Sequence, residues 1–281
     1  MLFFVFLFFL FLSFVNFCVL DSLVWWSIFV VCTFFFVFFI KNVGSYNYLV
    51  SYYIVQEVCG YYFLVFDSWK LQFMFLMLKC GCAPFHFWLF SVISGIDKWF
   101  VLWFLTIQKL PYLFVLVNFC SDFFFFIIFF GMVVCYLQFF LLRGYRDMLL
   151  VISTESFNWL LLVGLFSFNE LFFYVFFYYF IFFLVVFYVY DCDYGSLSYE
   201  ILFVLFNVPM SITFFLKVLL VFGSWSFVGI YYYLLMILMP LMSLGVGYFF
   251  FVYSMSGYNY GTKYYDYFFY IFFCFSFLSF F

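Results

Sequence analysis

Runs of about twenty residues with almost nothing charged in them follow one another along the whole chain, separated by breaks only a few residues long. A helix that crosses a bilayer needs about 20 apolar residues. Cutting at charges and turn residues gives eleven candidate spans: 1–20, 22–40, 46–66, 70–92, 99–119, 122–142, 147–167, 169–190, 199–222, 226–253 and 264–281. The breaks fall at Asp21, Lys41–Gly44, Asp67–Lys70, Gly95–Lys98, Ser121–Asp122, Arg143–Asp147 and Asp191–Gly195. Such short loops make successive helices antiparallel neighbours and leave no room for a soluble domain. Lys41, Lys98, Arg143, Arg146 and Lys263 each follow an even number of spans and Lys70 alone an odd number, a bias that is expected to put the N-terminus on the inner face.

Composition closes the other routes. Charged residues make up 7% of the chain, against about 25% in a soluble domain, so a globular surface has no polar cover. Barrel strands alternate apolar and polar residues over about 10 positions, and these runs do not alternate. The N-terminus has no basic region of the kind a cleaved signal needs. Phe and Tyr, 61 and 27 of them, stand where Leu is usual, as expected from a T-rich coding strand in a small organellar genome. The nine cysteines read as small apolar packing residues. Cys80 and Cys82 are too close together for an ordinary metal pair. A net charge of −3 without a basic cluster excludes nucleic acid as a partner.

Against this background a few ionisable residues stand at membrane depth. Lys79 and Lys109 lie nine and ten residues into their spans, roughly 14–15 Å deep at 1.5 Å per residue. Glu57 and Glu155 lie at similar depth, and Lys217 nearer one face. A charge at the centre of a spanning helix costs about 2.5–3.5 kcal/mol on insertion scales, so these five are expected to face the interior, pair, or line water. Three of the four prolines, Pro84, Pro111 and Pro209, lie five, two and eight residues from one of these lysines. Proline breaks the helical ladder, and broken helices at membrane depth recur at ion sites. Lysines beside such breaks are candidates for proton transfer, with Glu57, Glu155 and His86, the only histidine, as secondary candidates. One histidine cannot supply a bis-His haem, and no phosphate loop, Ser-His-Asp set or metal cluster is present.

The stretch Lys79-Cys-Gly-Cys-Ala-Pro-Phe-His-Phe-Trp88, followed by Leu105-Thr-Ile-Gln-Lys-Leu110, resembles the NADH dehydrogenase subunit 2 family of respiratory complex I. Arg146 to Trp159, with Ser153 in phase, is similar to that family's helix beginning at an arginine and ending in a tryptophan, and Pro209 to Lys217 to its late broken helix. Eleven spans fit the shortened form of this subunit, which lacks three N-terminal helices. The resemblance implies an all-α antiporter-like bundle in one transmembrane domain. Its first repeat would cover about 22–119, its second about 122–253, and a C-terminal helix 264–281. Lys79, Lys109 and Lys217 would carry a proton path driven by quinone reduction in other subunits, where NADH, FMN, iron–sulfur clusters and ubiquinone would bind. The chain itself would hold no cofactor or metal. Its partners would be other membrane-arm subunits, accessory subunits and lipids of the mitochondrial inner membrane.

Three departures from the family stand out. The second span reads Trp25-Trp-Ser-Ile-Phe-Val-Val31, without the family's acid, so Glu57 is the expected partner of Lys79 and Asp21 the second choice. The family's histidine position, 156, is Ser beside Glu155, and Leu89-Phe90-Ser91 replaces the usual Pro-Glu after Trp88. Two other readings remain at this stage: a structural subunit with a decayed proton path, and an independent cation/proton antiporter of the same fold. The paralogous subunits 4 and 5 fit less well, because Gln108-Lys-Leu together with Lys217 favours subunit 2.

Overall fold

The computed structural model describes residues 2–40, 46–96, 98–142, 145–166, 171–176, 178–179, 217–218, 221, 231–241, 244–245 and 248. These residues form helices and turns, with no strand among them. The helices are α1 (Leu2–Cys18), α2 (Ser22–Ile40), α3 (Tyr46–Val65), α4 (Trp69–Cys80), α5 (Phe87–Ile93), α6 (Lys98–Leu105), α7 (Leu110–Phe119), α8 (Phe125–Phe139) and α9 (Tyr145–Phe166). Short 3₁₀ turns at Ile107–Lys109 and Asp122–Phe124 lead into α7 and α8. The segments Ser22–Ile40, Asp122–Phe139 and Arg146–Phe166 are long and apolar enough to cross a membrane. The candidate spans 70–92 and 99–119 each divide, into α4 and α5 and into α6 and α7. Spans 169–190, 199–222, 226–253 and 264–281 lie largely outside the described residues, apart from a helix at Tyr231–Leu241.

The outer helices bury one stripe each. In α2 it is Trp25, Ile28, Phe29, Cys32, Phe36 and Ile40; in α3 it is Leu49, Tyr52, Gln56, Cys59, Gly60 and Phe63. This is the three–four spacing of a packed helix face. The opposite faces are just as apolar, with Phe34 and Phe38 on α2 and Val50, Ile54 and Tyr61 on α3 exposed. A helix apolar all round with one side uncovered suits hydrocarbon and not water. At the centre α7 packs against α1, α2, α4 and α9, and Leu110 through Val117 are all buried. Its neighbour α9 is buried from Met148 through Val163 and also meets α5 and α8.

The break between α4 and α5 is built by its residues. Gly81 takes φ 69°, a left-handed conformation that needs no Cβ. Its N–H bonds to the Leu78 carbonyl and that of Cys82 to the Met77 carbonyl, closing the helix in a Schellman cap. The chain then turns through a cis Ala83–Pro84 bond. Carbonyls freed here have no water to bond in a bilayer, so side chains supply the donors. Trp88 Nε1 reaches Leu78 O (3.0 Å), Gln56 Nε2 reaches Lys79 O (2.8 Å) and Asn158 Nδ2 reaches Ala83 O (3.1 Å). At the second break Asn16 Nδ2 reaches Pro111 O (3.1 Å).

Gly131 on α8 lets the break seat against that helix, since a Cβ there would run into the Ala83 carbonyl. Gly131→Ala is therefore expected to destabilise the protein by about 1–3 kcal/mol through forced backbone shifts. A lowered thermal midpoint in lipid nanodiscs, with Gly245→Ala nearer wild type, is the outcome that checks it; the nearest approach at Gly245 is 3.3 Å.

Candidate functional site

Lys79, Lys109, Lys217 and Glu155 are 3%, 4%, 5% and 1% exposed, so four ionisable groups sit in the interior of a nearly charge-free chain. Each is reached by a different local device. Lys79 lies in the last turn of α4, where the helix C-terminus favours a cation. Its ammonium rests against Gly60 of α3: a Cβ there would stand 3.2 Å from Nζ, and 3.3 Å from Trp26 Nε1 of α2. The Phe29 ring presents its face 5.2 Å away. Among the described residues this ammonium has no hydrogen bond and no ion pair. Glu57 is half-buried one turn from Gly60 and lies outside salt-bridge distance of Lys79, while Asp21 is exposed at the start of α2. The carboxylate expected beside Lys79 makes no contact with it.

Lys109 enters the interior on the 3₁₀ turn ahead of Pro111, which occupies the first turn of α7. Its Nζ donates to Ser153 Oγ of α9 (3.2 Å), and the Phe157 ring lies 5.5 Å away. Between the two lysines is a small cavity lined by Gln56, Lys79, Trp88, Gln108, Lys109 and Tyr112. It offers about 10 Å³ to the centre of a water molecule, room for about one. Gln108 Nε2 donates to Tyr52 Oη (3.0 Å), whereas its buried Oε1 has no hydrogen-bond donor among the described residues. Tyr112 Oη donates to Gln56 Oε1 (3.4 Å), which ties the cavity wall to the break at Lys79.

The third lysine is differently placed. Lys217 Nζ meets both oxygens of Glu155 at 2.6 Å, the one ion pair among the described residues. Glu155 Oε1 also accepts from Tyr136 Oη of α8 (2.8 Å) and Trp159 Nε1 (2.6 Å), one helical turn further along α9. Lys217 stands 5.8 Å from the Trp159 ring. Each buried lysine thus has an aromatic ring within about 6 Å, the range of a cation–π contact. His86 Nε2 and Gln138 Oε1 are 2.6 Å apart, a buried hydrogen bond between α8 and the turn after Pro84. Ser156 Oγ donates to the Ile152 carbonyl and accepts from Tyr178 Oη (2.6 Å each). Pro209 lies outside the described residues.

Sequence reasoning missed Phe29, Phe157 and Tyr136, because one aromatic residue among so many carries no signal. It also missed Gln56 and Gln138, and singled out Gln108 only as part of the Gln-Lys-Leu motif, although an amide inside an apolar run is as unusual as a charge. Buried lysines and a buried carboxylate, held at broken helices inside a bundle of apolar helices, define a polytopic membrane protein with a polar interior. No protein-family model matches the chain. It is 42% identical over 221 residues to NADH-ubiquinone oxidoreductase chain 2 of Ascaris suum, covering 78% of this chain and 73% of that one. It is 34% identical over 219 residues to the protein of the same name from Caenorhabditis elegans, covering 78% of each. The chain belongs to the NADH-ubiquinone oxidoreductase chain 2 family.

Removing one member of a buried ion pair leaves the other uncompensated, at a cost of about 3–5 kcal/mol, whereas replacing both with apolar groups can be neutral. Lys217→Met and Glu155→Leu are each expected to lower thermal stability strongly, and the double substitution to recover much of the loss. A double-mutant cycle of melting midpoints measures the coupling.

Proposed function

We propose that this chain is a core membrane-arm subunit of NADH:ubiquinone oxidoreductase (complex I) in the mitochondrial inner membrane, and that it carries protons along a lysine path. Lys79, Lys109 and Lys217 are the principal groups; Glu57, His86 and Glu155 are secondary ones. Quinone reduction elsewhere in the complex drives the path, and the redox cofactors belong to other subunits. The full architecture in this reading has about eleven spans in two inverted repeats, near 22–119 and 122–253, with a last helix at 264–281. Neighbouring antiporter-like and accessory subunits and lipid surround it, and an organellar gene encodes it.

Family membership supports the assembly part of this reading. The observation that best supports the proton path is the water-sized cavity whose lining includes both Lys79 and Lys109. The lysines sit on structure that holds them at fixed places: a capped helix end, a 3₁₀ turn and an ion pair. Among the described residues no carboxylate contacts Lys79, which a structural subunit with a decayed path would also show, and the lysine variants separate the two.

The first test is a native gel of mitochondrial membranes with in-gel NADH dehydrogenase staining and mass spectrometry of the active band. Co-migration with the large NADH-oxidising assembly is the expected result; migration alone or as a small homo-oligomer favours the free antiporter. Within the assembled complex, Lys109→Met is expected to lower protons moved per NADH oxidised while NADH:quinone reduction by uncoupled membranes is largely kept. Glu57→Gln should do the same to a smaller degree. Wild-type coupling in both variants, and in Lys79→Met, would leave the structural role as the better reading.

A further inference from the structure

The two oxygens of Glu155 have unlike surroundings. Oε2 is met by Lys217 alone among the described residues, while Oε1 is met by Lys217, Tyr136 Oη and Trp159 Nε1. The two further donors are fixed by each other. Trp159 Nε1, whose one hydrogen goes to Oε1, also lies 3.3 Å from Tyr136 Oη as the weaker arm of that bond, and the carboxylate can only accept. The single phenol hydrogen is left to Glu155. Tyr136 and Trp159 are 1% and 3% exposed, on α8 and α9, which pack along their lengths. A buried carboxylate with only its cation could not lose that cation without becoming an isolated charge. This one keeps two donors when the cation changes.

We propose that Tyr136 and Trp159 are positioning residues that hold Glu155 as a carboxylate while Lys217 releases and regains a proton. The inference rests on the proton path proposed above and deepens it at the Lys217 end. In the step, an N–H bond of the Lys217 ammonium breaks and its electron pair stays on nitrogen. The proton passes to a water, which becomes hydronium and hands it on. Glu155 remains a carboxylate throughout, so the pair goes from net charge zero to −1, and Tyr136 and Trp159 carry the unbalanced charge through Oε1. Reprotonation restores the contact. Without these donors the carboxylate would take the proton itself, and the pair would neutralise internally without passing anything on.

The test uses the assembled complex carrying Tyr136→Phe or Trp159→Phe, each keeping a ring and losing the donor. Coupled proton movement is expected to fall about tenfold at the step this pair limits, the loss of roughly one charged hydrogen bond, while assembly and uncoupled quinone reduction persist. The infrared carboxylate band identified by its loss in Glu155→Gln should shift in both variants. Trp159→His, which can keep an N–H donor, should retain more activity than Trp159→Phe. In a Glu155→Gln background neither ring substitution should add a further loss. Wild-type coupling in the ring variants, or an equal loss with and without Glu155, overturns the proposal. If Tyr136→Phe does not assemble, the Trp159→Phe and Trp159→His comparison decides alone. Wild-type coupling in Glu155→Gln and Lys217→Met would instead remove the Lys217 end from the path, a failure of the broader reading.

Discussion

A backbone group at membrane depth has no bulk water to fall back on. In hydrocarbon each unsatisfied backbone group costs several kcal/mol, so every place where a helix stops must bring its own donors. Here they come as Gln56, Trp88 and Asn158 around the α4–α5 break and Asn16 at Pro111, four side chains from four helices. The same bonds that make the breaks tolerable also lock the surrounding helices in place. Gln56 joins α3 to the end of α4, Asn158 joins α9 to the turn at Ala83, and Asn16 joins α1 to α7.

The ionisable groups obey the same constraint with fewer means. Among the described residues one carboxylate, Glu155, meets Lys217, and it also accepts from Tyr136 and Trp159. Lys109 has a hydroxyl, Lys79 has neither, and both have the face of a phenylalanine. An aromatic face attracts a cation through its quadrupole, and the attraction grows when both are out of water. A chain this rich in phenylalanine therefore has a second way to hold an ammonium, weaker than an ion pair and without a charge to be neutralised. The residue that fills the space at Gly60 is the lysine itself, so close packing and not a counter-ion sets where that ammonium lies.

Much of the fold was legible one residue at a time. Asp21, Asp67–Lys70 and Arg146–Asp147 mark real helix ends because a charge at a bilayer surface costs little and one inside costs much. The division of 70–92 could be read from Lys79, Gly81 and Pro84, whose backbone restrictions act locally. The site was legible as a set of residues and not as a set of contacts. Glu57 looked like the natural partner of Lys79 by depth, yet depth is one coordinate of three, and Glu57 stands outside salt-bridge distance of Lys79. Glu155 looked secondary, and it is the acid that forms the pair.

Chemistry that depends on the solvent was decided by the amino-acid sequence itself. It set the apolar runs that only a bilayer can host, the rarity of interior charge, and the glycine and proline positions at which a helix must stop. These follow from transfer free energies and backbone sterics, which need no neighbours. Which lysine meets which acid, which ring faces which ammonium, and where one water fits were decided by tertiary structure. Those outcomes depend on how α2, α3, α7, α8 and α9 rotate against one another. With apolar residues on every face of these helices, the sequence pattern carries almost no record of that rotation.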